Sequence, residues 1–144
     1  MNSSLEEILN EIKGSRHLKN ALIHSSFNEG KEGEDYNELK HLGDAVWNLA
    51  VLEMIYKDEK IEVGNADKKK QLLVSEEGQT SIANTLGIGE LIKAGRGSQE
   101  VKETPSVLAN TLEAICAAIF LERGYNIARD YILKWIDFFK MDKA

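Results

Sequence analysis

Cysteine and proline are almost absent from this sequence, and so are the patterns that mark strands, leaders and membrane spans. The single cysteine, Cys116, has no partner for an internal disulfide, which excludes a disulfide-stapled secreted domain and favours a reducing, cytoplasmic location. No β-branched or aromatic run alternates at period two, so strands are not expected. The N-terminus carries acids where a signal peptide needs bases, and no stretch approaches the ~20 apolar residues of a membrane-spanning helix. A membrane is therefore not an expected partner.

The composition that is present is typical of a globular protein, with 42% hydrophobic and 29% charged residues. At this length, residues 1–144 are expected to form a single domain with a sizeable core. The net charge of −6 argues against a protein that mainly wraps nucleic acid, although a basic patch can exist on an acidic surface. The chain has a dense and a looser basic cluster, namely Lys68, Lys69 and Lys70, and Lys13, Arg16 and Lys19. Taken alone, each is interpreted as a solvated helix face.

Apolar residues recur at helical spacing along most of the chain, which predicts an all-α fold. Residues 5–12 predict a first helix, capped by Ser3 or Ser4 and ended by Gly14. A second helix is predicted to begin after Ser15 and to end near residues 24–26. Further helices are predicted over residues 37–57, 66–77, 81–86 (as a continuation or a new helix), 90–94, 106–123 and 125–140. The glycine-rich, acidic segment 27–36 is predicted to be a loop. The helix over residues 37–57 is apolar on most sides, which predicts a central helix packed all round.

This helix carries a carboxylate, Asp44, directly after a glycine. Asn37, Lys40 and Asp44 are spaced to share one helical face, and Gly43 lets another backbone approach closely beside the carboxylate. Two interpretations fit the pattern. Asp44 belongs to a metal site, or it forms an ordinary ion pair with Lys40 one turn earlier.

The helix over residues 106–123 also interrupts its apolar run with polar residues. Asn110 and Glu113 are three positions apart and therefore share a face. Burial of a lone carboxylate is prohibitively costly, so Glu113 must face solvent, pair with a cation or bind a metal. The motifs alone leave these alternatives open.

At these residues the sequence resembles the catalytic domain of the ribonuclease III family. Four segments carry the resemblance, in the family's order: LKNALIHSSF, NELKHLGDAV, IGELIKAGRGSQE and VLANTLEAICAAIFLERGYNIARDYI. Together they cover nearly the whole chain, and four collinear segments are far more specific than one motif.

The resemblance implies an all-α, ribonuclease III endonuclease-domain-like helical bundle that forms a homodimer and acts on double-stranded or structured RNA. In active members, carboxylates from the two helices described above bind Mg²⁺ and activate water for phosphodiester hydrolysis, and Mn²⁺ is the expected substitute. The resemblance is to the short, single-domain members, so we expect no C-terminal double-stranded RNA-binding domain of the kind found in typical bacterial members. The residues expected to contact RNA are Lys68, Lys69, Lys70 and Arg96.

Position by position, the resemblance implies an altered catalytic site. Asp44 and Glu113 match two of the family's carboxylates, whereas Lys40 and Asn110 occupy the positions of the other two. Lysine donates hydrogen bonds and repels a cation, while asparagine still offers a carbonyl oxygen. Glu38 is a possible substitute ligand if the helix start shifts, although it lies about 120° from the site face.

The aromatic residue that precedes the family's Leu-Gly-Asp and packs across its dimer interface is replaced here by His41. A half-buried histidine can fill that space, so the homodimer remains the expectation. A metal-ligand role for His41, three positions before Asp44, is the alternative, and an interface or core role is favoured. His17 and His24 are interpreted as structural.

Three functions follow. In the favoured one, the chain is a ribonuclease III-family protein associated with double-stranded or structured RNA, with a degenerate metal site and weak or absent magnesium-dependent cleavage. In the second, it is a working endoribonuclease that uses Asp44 and Glu113, with Asn110 assisting and with Glu38 recruited if the helix start shifts. In the third, it is a non-catalytic dimerisation or assembly domain.

Overall fold

Eight α-helices and two 3₁₀ turns make up the part of the chain that the computed structural model describes, residues 2–28, 34–58 and 63–143. The α-helices are α1 Ser3–Glu11, α2 Arg16–Ala21, α3 Ser25–Asn28, α4 Asn37–Tyr56, α5 Val63–Val74, α6 Glu76–Leu86, α7 Pro105–Arg123 and α8 Tyr125–Lys143. The 3₁₀ turns span Ile88–Leu91 and Gln99–Glu103. Within the described ranges no strand forms, and the only strand-like pairing is an isolated bridge between Ile23 and Lys93. The predicted all-α fold is confirmed.

Helix α7 is the central helix of the fold. Its residues from 111 to 119 are buried without interruption, and α2, α4, α6 and α8 all pack against it. By length and composition alone it could cross a membrane, which corrects the expectation that no stretch is apolar enough. Most of its apolar window is enclosed by the other helices, as in the core helix of a globular fold.

Helix α4 has the predicted extent but not the predicted surroundings. Its inner side is buried against α7, whereas Leu49, Leu52 and Tyr56 on the outer side are 52%, 41% and 91% exposed. The expectation of a helix packed all round is therefore wrong. Periodicity recognises apolar side chains but does not show which of them the chain itself covers.

Helix boundaries follow capping side chains that the apolar pattern partly missed. Asn2, rather than Ser3 or Ser4, caps α1, because its side-chain oxygen accepts from the amide of Leu5. Ser75 caps α6 by accepting from the amide of Gly78, so α5 ends at Val74 and α6 begins at residue 76. Because α5 spans Val63–Val74, the lysines at 68–70 lie in its middle.

The ends of the longer helices match their sequence signals. Pro105 occupies the first turn of α7, where a proline costs no hydrogen bond. Gly87 after α6 and Gly124 after α7 adopt positive φ values of 80° and 86°, which favour glycine.

Two expectations were less accurate. The second helix ends at Ala21, and residues 90–94 lie mostly outside the 3₁₀ turn that precedes them. In the predicted 27–36 loop, α3 extends to Asn28, and residues 29–33 lie outside the described chain.

Candidate catalytic site at the crossing of α4 and α7

Helices α4 and α7 approach each other closely at Gly43. A Cβ atom built on Gly43 would lie 1.7 Å from the carbonyl oxygen of Glu113 and 2.9 Å from its Cα, so no other residue fits. The two backbones therefore touch at this point, as the position of the glycine predicted. Because Asp44 follows the glycine directly, the crossing brings its carboxylate beside that of Glu113.

The carboxyl groups of Asp44 and Glu113 interact at this crossing. Glu113 is buried on α7, and Asp44 is exposed on α4. Burial raises the pKa of Glu113, and a hydrogen bond with Asp44 and the charge of Asp44 raise it further, to about 8. The Gln79 amide and the charge of Lys40 lower it only in part. In the metal-free protein Glu113 is therefore mostly protonated at neutral pH, and its carboxyl group hydrogen-bonds to Asp44.

Gln79 is a site residue that the sequence analysis missed. It is 3% exposed on α6 and lies close enough to Glu113 to lower the pKa of that carboxyl group. Among the described residues, its amide nitrogen has no partner with standard hydrogen-bond geometry. A sequence signal was present, because Gln79 continues the helical spacing of the buried Ile82, Ala83 and Leu86.

Lys40 lies on the same side of α4 as Asp44 and is half-buried. Its charge lowers the pKa of Glu113, so its ammonium group acts on the carboxyl pair electrostatically. In the described chain, however, no ion pair of 4 Å or less joins Lys40 to Asp44 or Glu113. The interpretation of Asp44 as the partner of a simple i, i+4 salt bridge is therefore wrong.

Asn110 lies one turn before Glu113, and its side chain is engaged elsewhere. Burial raises the pKa of Tyr36, and the hydrogen bond between the Asn110 side chain and the Tyr36 hydroxyl lowers that pKa only in part. The residue before Tyr36, Asp35, is buried and accepts the backbone amide of Asn37 at 2.9 Å, which fixes the start of α4. Asn37 itself is exposed. Asn110 thus couples α7 to the start of α4.

The residues at the crossing fit a magnesium or manganese ion held by few protein ligands. Within the described ranges, no group of three or more acidic, histidine or cysteine side chains could hold a metal. Mg²⁺, however, is commonly bound by one or two carboxylates together with water and substrate phosphate. Asp44 and Glu113 supply that pair, and a cation would replace the proton on Glu113. Asn48, one turn after Asp44, has a buried side-chain oxygen without a hydrogen-bond partner among the described residues.

Glu38 and His41 lie on the exposed outer side of α4. Helical spacing puts Glu38 on the side of Tyr56 and Leu49, about 120° from Asp44. The exposure of His41 rules out a core role within this chain. Neither side chain is part of the carboxyl pair described above.

The residues expected to bind RNA lie on two different elements. Lys68 is exposed on α5, and Lys69 and Lys70 are half-buried there. Burial and the neighbouring charge of Lys69 lower the pKa of Lys140 on α8, so α5 and α8 bring two cations together. Arg96 is exposed in the segment that follows Gly95, and the amide of Gly95 donates to the Ser26 hydroxyl.

Comparison with known proteins identifies the family. Residues 15–137 match the Ribonuclease-III-like family. Ribonuclease 3 of Clostridium tetani is 41% identical over 120 residues, which are 79% of this chain and 50% of that protein. Ribonuclease 3 of Bdellovibrio bacteriovorus is 35% identical over 135 residues, which are 90% of this chain and 58% of that protein. The chain thus spans about half the length of these curated relatives.

A solved structure gives the same result. The nuclease domain of ribonuclease III from Campylobacter jejuni superposes with a TM-score of 0.79 at 37% identity, covering 94% of this chain and 95% of that one. Its description refers to structural flexibility in the region involved in dimer formation. The chain belongs to the ribonuclease III family, and its fold is that of the nuclease domain.

Proposed function

We propose that this chain acts in RNA processing as a ribonuclease III-family protein that binds double-stranded RNA and cleaves it weakly or not at all. The observation that carries the proposal is the composition of the crossing between α4 and α7. Two carboxyl groups, Asp44 and Glu113, meet beside the cation Lys40 and the neutral Asn110. Their formal charge is −1 with both carboxylates ionised, and a unit charge at 4 Å is worth about 4 kcal/mol at an effective dielectric constant of 20. Lys40 therefore opposes cation binding at this crossing.

The chain's own groups have definite roles in such a site. Asp44 and Glu113 would hold Mg²⁺ or Mn²⁺, which when bound supplies an activated water and stabilises negative charge on the phosphodiester. Glu113 must first release its proton, and its raised pKa makes that release costly at neutral pH. Gln79 contacts the Glu113 carboxyl group, Asn110 holds the hydroxyl of Tyr36, and Gly43 keeps the two helices in contact.

A working endoribonuclease is the second candidate, and one observation favours it. No ion pair of 4 Å or less holds Lys40 against Asp44 or Glu113 within the described chain. The lysine is thus able to turn towards an RNA phosphate, where its charge would assist binding. In that case both carboxylates remain available to the metal.

The outer side of α4 supports a homodimer. Leu49, Leu52 and Tyr56 form an apolar stripe next to His41, and exposed apolar patches of this kind mark association surfaces. In this proposal His41 lies at the interface. A non-catalytic assembly domain would use the same stripe and would need no metal. We also retain a cytoplasmic location as a proposal, based on the single, buried Cys116.

Lys68, Lys69, Lys70 and Arg96 are the proposed RNA contacts. Their cations would neutralise backbone phosphates, so binding should weaken steeply as salt is raised. In this proposal the chain recognises the RNA backbone and not the base sequence, since lysine and arginine on a helix face contact phosphates without reading bases.

A metal titration tests the proposed function. The unfolding temperature and the cleavage of a long RNA duplex are followed together as Mg²⁺ or Mn²⁺ is added to the natural chain and to Lys40→Glu/Asn110→Asp. We expect the double variant to gain both stability and cleavage from metal, and the natural chain to gain little of either. Lys134→Glu/Asn84→Asp, which makes the same charge change at exposed positions, is the matched control and should behave as the natural chain.

Two other results would select the alternatives. Metal-dependent cleavage by the natural chain, abolished by chelator and by Glu113→Gln, would establish the working endoribonuclease. If neither the natural chain nor the double variant binds duplex RNA at low salt, the assembly domain is the correct function.

A further inference from the structure

A basic cleft lies between α1, α2 and the first 3₁₀ turn, in the looser basic cluster that the sequence analysis interpreted as a solvated helix face. Its volume is about 640 Å³, within the range of small-ligand sites. Four exposed cations line it: Lys13, Arg16, Lys19 and Lys93. Lys93 comes from a segment more than 70 residues further along the chain, so the fold, and not helical spacing alone, gathers these charges.

The charge of this cleft is opposite to that of the protein as a whole. The chain carries a net charge of −6, yet no carboxylate residue lines the cleft. In the described part of the chain, none of the four cations has a carboxylate oxygen within 4 Å. The nearby Glu122 accepts the hydroxyl of Ser15 at 2.8 Å, and the structure shows no ion pair between it and the cleft. The four cations are thus available to an anion.

Backbone contacts hold the cations in place. The amide of Lys93 donates to the carbonyl of Leu22 at 2.7 Å, and the amide of His24 donates to the carbonyl of Lys93 at 2.9 Å. Ser15 accepts the amide of Leu18 and donates to Glu122, which fixes the start of α2 to the end of α7. The backbone of the cleft is therefore formed before any ligand arrives, so binding has to order only the exposed side chains.

The shape and lining of the cleft define the ligand. Four leucines line it together with the cations, among them the half-buried Leu9 and Leu91. The volume of the cleft suits a single nucleotide, which can place its base on the leucines and its phosphates among the cations. We propose that this cleft binds a nucleoside phosphate, either free or at the end of a single-stranded RNA.

The cleft is separate from the carboxyl pair. Ser15 at its edge bonds to Glu122, which is nine residues after Glu113 on the same helix. At 1.5 Å per residue, the two positions are about 13 Å apart along α7. Binding in the cleft therefore needs neither Asp44 nor a metal, and it can be tested without reference to RNA cleavage.

Calorimetric titration of the full chain in chelator tests this proposal. The probes are ADP, inorganic pyrophosphate and a 5′-phosphorylated, single-stranded RNA of eight nucleotides, each at low and moderate salt. We expect ADP or the RNA to bind, and Arg16→Gln/Lys93→Gln to weaken that binding at least tenfold while leaving the unfolding temperature unchanged. Lys57→Gln/Lys134→Gln removes the same charge from two exposed positions outside the cleft and should bind as the natural chain does.

The three probes distinguish the sources of the ligand. Equal affinity for ADP and the RNA assigns a single nucleotide as the recognised unit, whereas binding of the RNA at least tenfold more tightly assigns a strand end. Both results support the proposal. Pyrophosphate that binds as tightly as ADP would show that the leucines take no part and would overturn the nucleoside assignment. Absence of binding, or an equal loss in both double variants, would overturn the site.

Discussion

The inner and outer sides of helix α4 differ in how far their residues contact the rest of the chain. On the inner side, Gly43 touches the backbone of Glu113, and Asp44 hydrogen-bonds to the buried carboxyl group of Glu113. On the outer side, Leu49 and Tyr56 are largely exposed and touch no comparable partner within the described chain. The inner side is in contact with the rest of the chain, whereas the outer side exposes apolar surface.

This difference separates two kinds of constraint on the same helix. A substitution on the inner side must disturb folding or the ionisation of the carboxyl pair, since Gly43 and Glu113 are enclosed and Asp44 interacts with Glu113. A substitution on the outer side should leave the monomer intact and change only its association. The predictions below test that separation.

The largest effect is expected from Gly43→Ala. Its Cβ would overlap the carbonyl oxygen of Glu113, and a backbone atom cannot relieve the clash by changing rotamer. We expect a loss of at least ~3 kcal/mol in the free energy of unfolding, measured by chemical denaturation. Gly64→Ala in α5 is the control, because a Cβ there meets nothing within 4 Å. Alanine in a helix should stabilise that variant by up to about 1 kcal/mol. Similar changes in both variants would contradict the close crossing.

The second effect concerns the pKa of Glu113, which is about 8 in the fold against an ordinary value of 4.5. Between these values the folded state binds more protons than the unfolded state, so stability falls as the pH rises. In chelator, we expect the free energy of unfolding to drop by about 2–4 kcal/mol from pH 5 to pH 8.5 because of this group. Glu113→Gln keeps the shape of the protonated side chain and should remove that part of the slope. Parallel curves for the two proteins would show that Glu113 is ionised throughout.

The third effect belongs to the outer side. Leu49→Glu/Leu52→Glu introduces charge into the exposed apolar stripe, and we expect at least a tenfold weaker self-association by sedimentation. The circular dichroism of the monomer should be unchanged, since neither side chain is buried in the chain. Leu121→Glu, on α7 and 44% exposed, serves as the control. If it disrupts association as strongly, the stripe on α4 is not the specific interface.

Much of the fold and part of the site could be predicted from the sequence because their causes are local. Pro105 and Gly124 delimit α7, and Gly43 indicated a close approach of another backbone before that backbone was known. The helical spacing around Asp44 and Glu113 also indicated which faces carry polar groups. Each of these signals acts within a few residues of its consequence.

The features that were missed depend on which helices pack together. Gln79 resembles an ordinary polar residue until α6 is placed beside Glu113, and the apolar pattern runs through Ser75 without marking the boundary that its hydroxyl creates. Periodicity likewise assigned Leu49 to the core, because it recognises an apolar side chain but not whether the chain covers that side chain. Lys93 joins the basic cleft only through its backbone bonds to a distant segment.

The smallest effect is expected from Glu38→Ala, and it separates the two sides of α4 most directly. Glu38 is exposed on the outer side, about 120° around the helix from Asp44. The test is made in the Lys40→Glu/Asn110→Asp background, where a metal response is expected. If the helix start does not shift, the Glu38 carboxylate cannot join Asp44 and Glu113, and Glu38→Ala should change the metal dependence of stability less than twofold. Asp44→Asn in the same background alters the inner side by one charge as well, and it should abolish the metal response. A loss in Glu38→Ala as large as that in Asp44→Asn would mean that α4 begins differently when metal binds, bringing an outer carboxylate to the inner side.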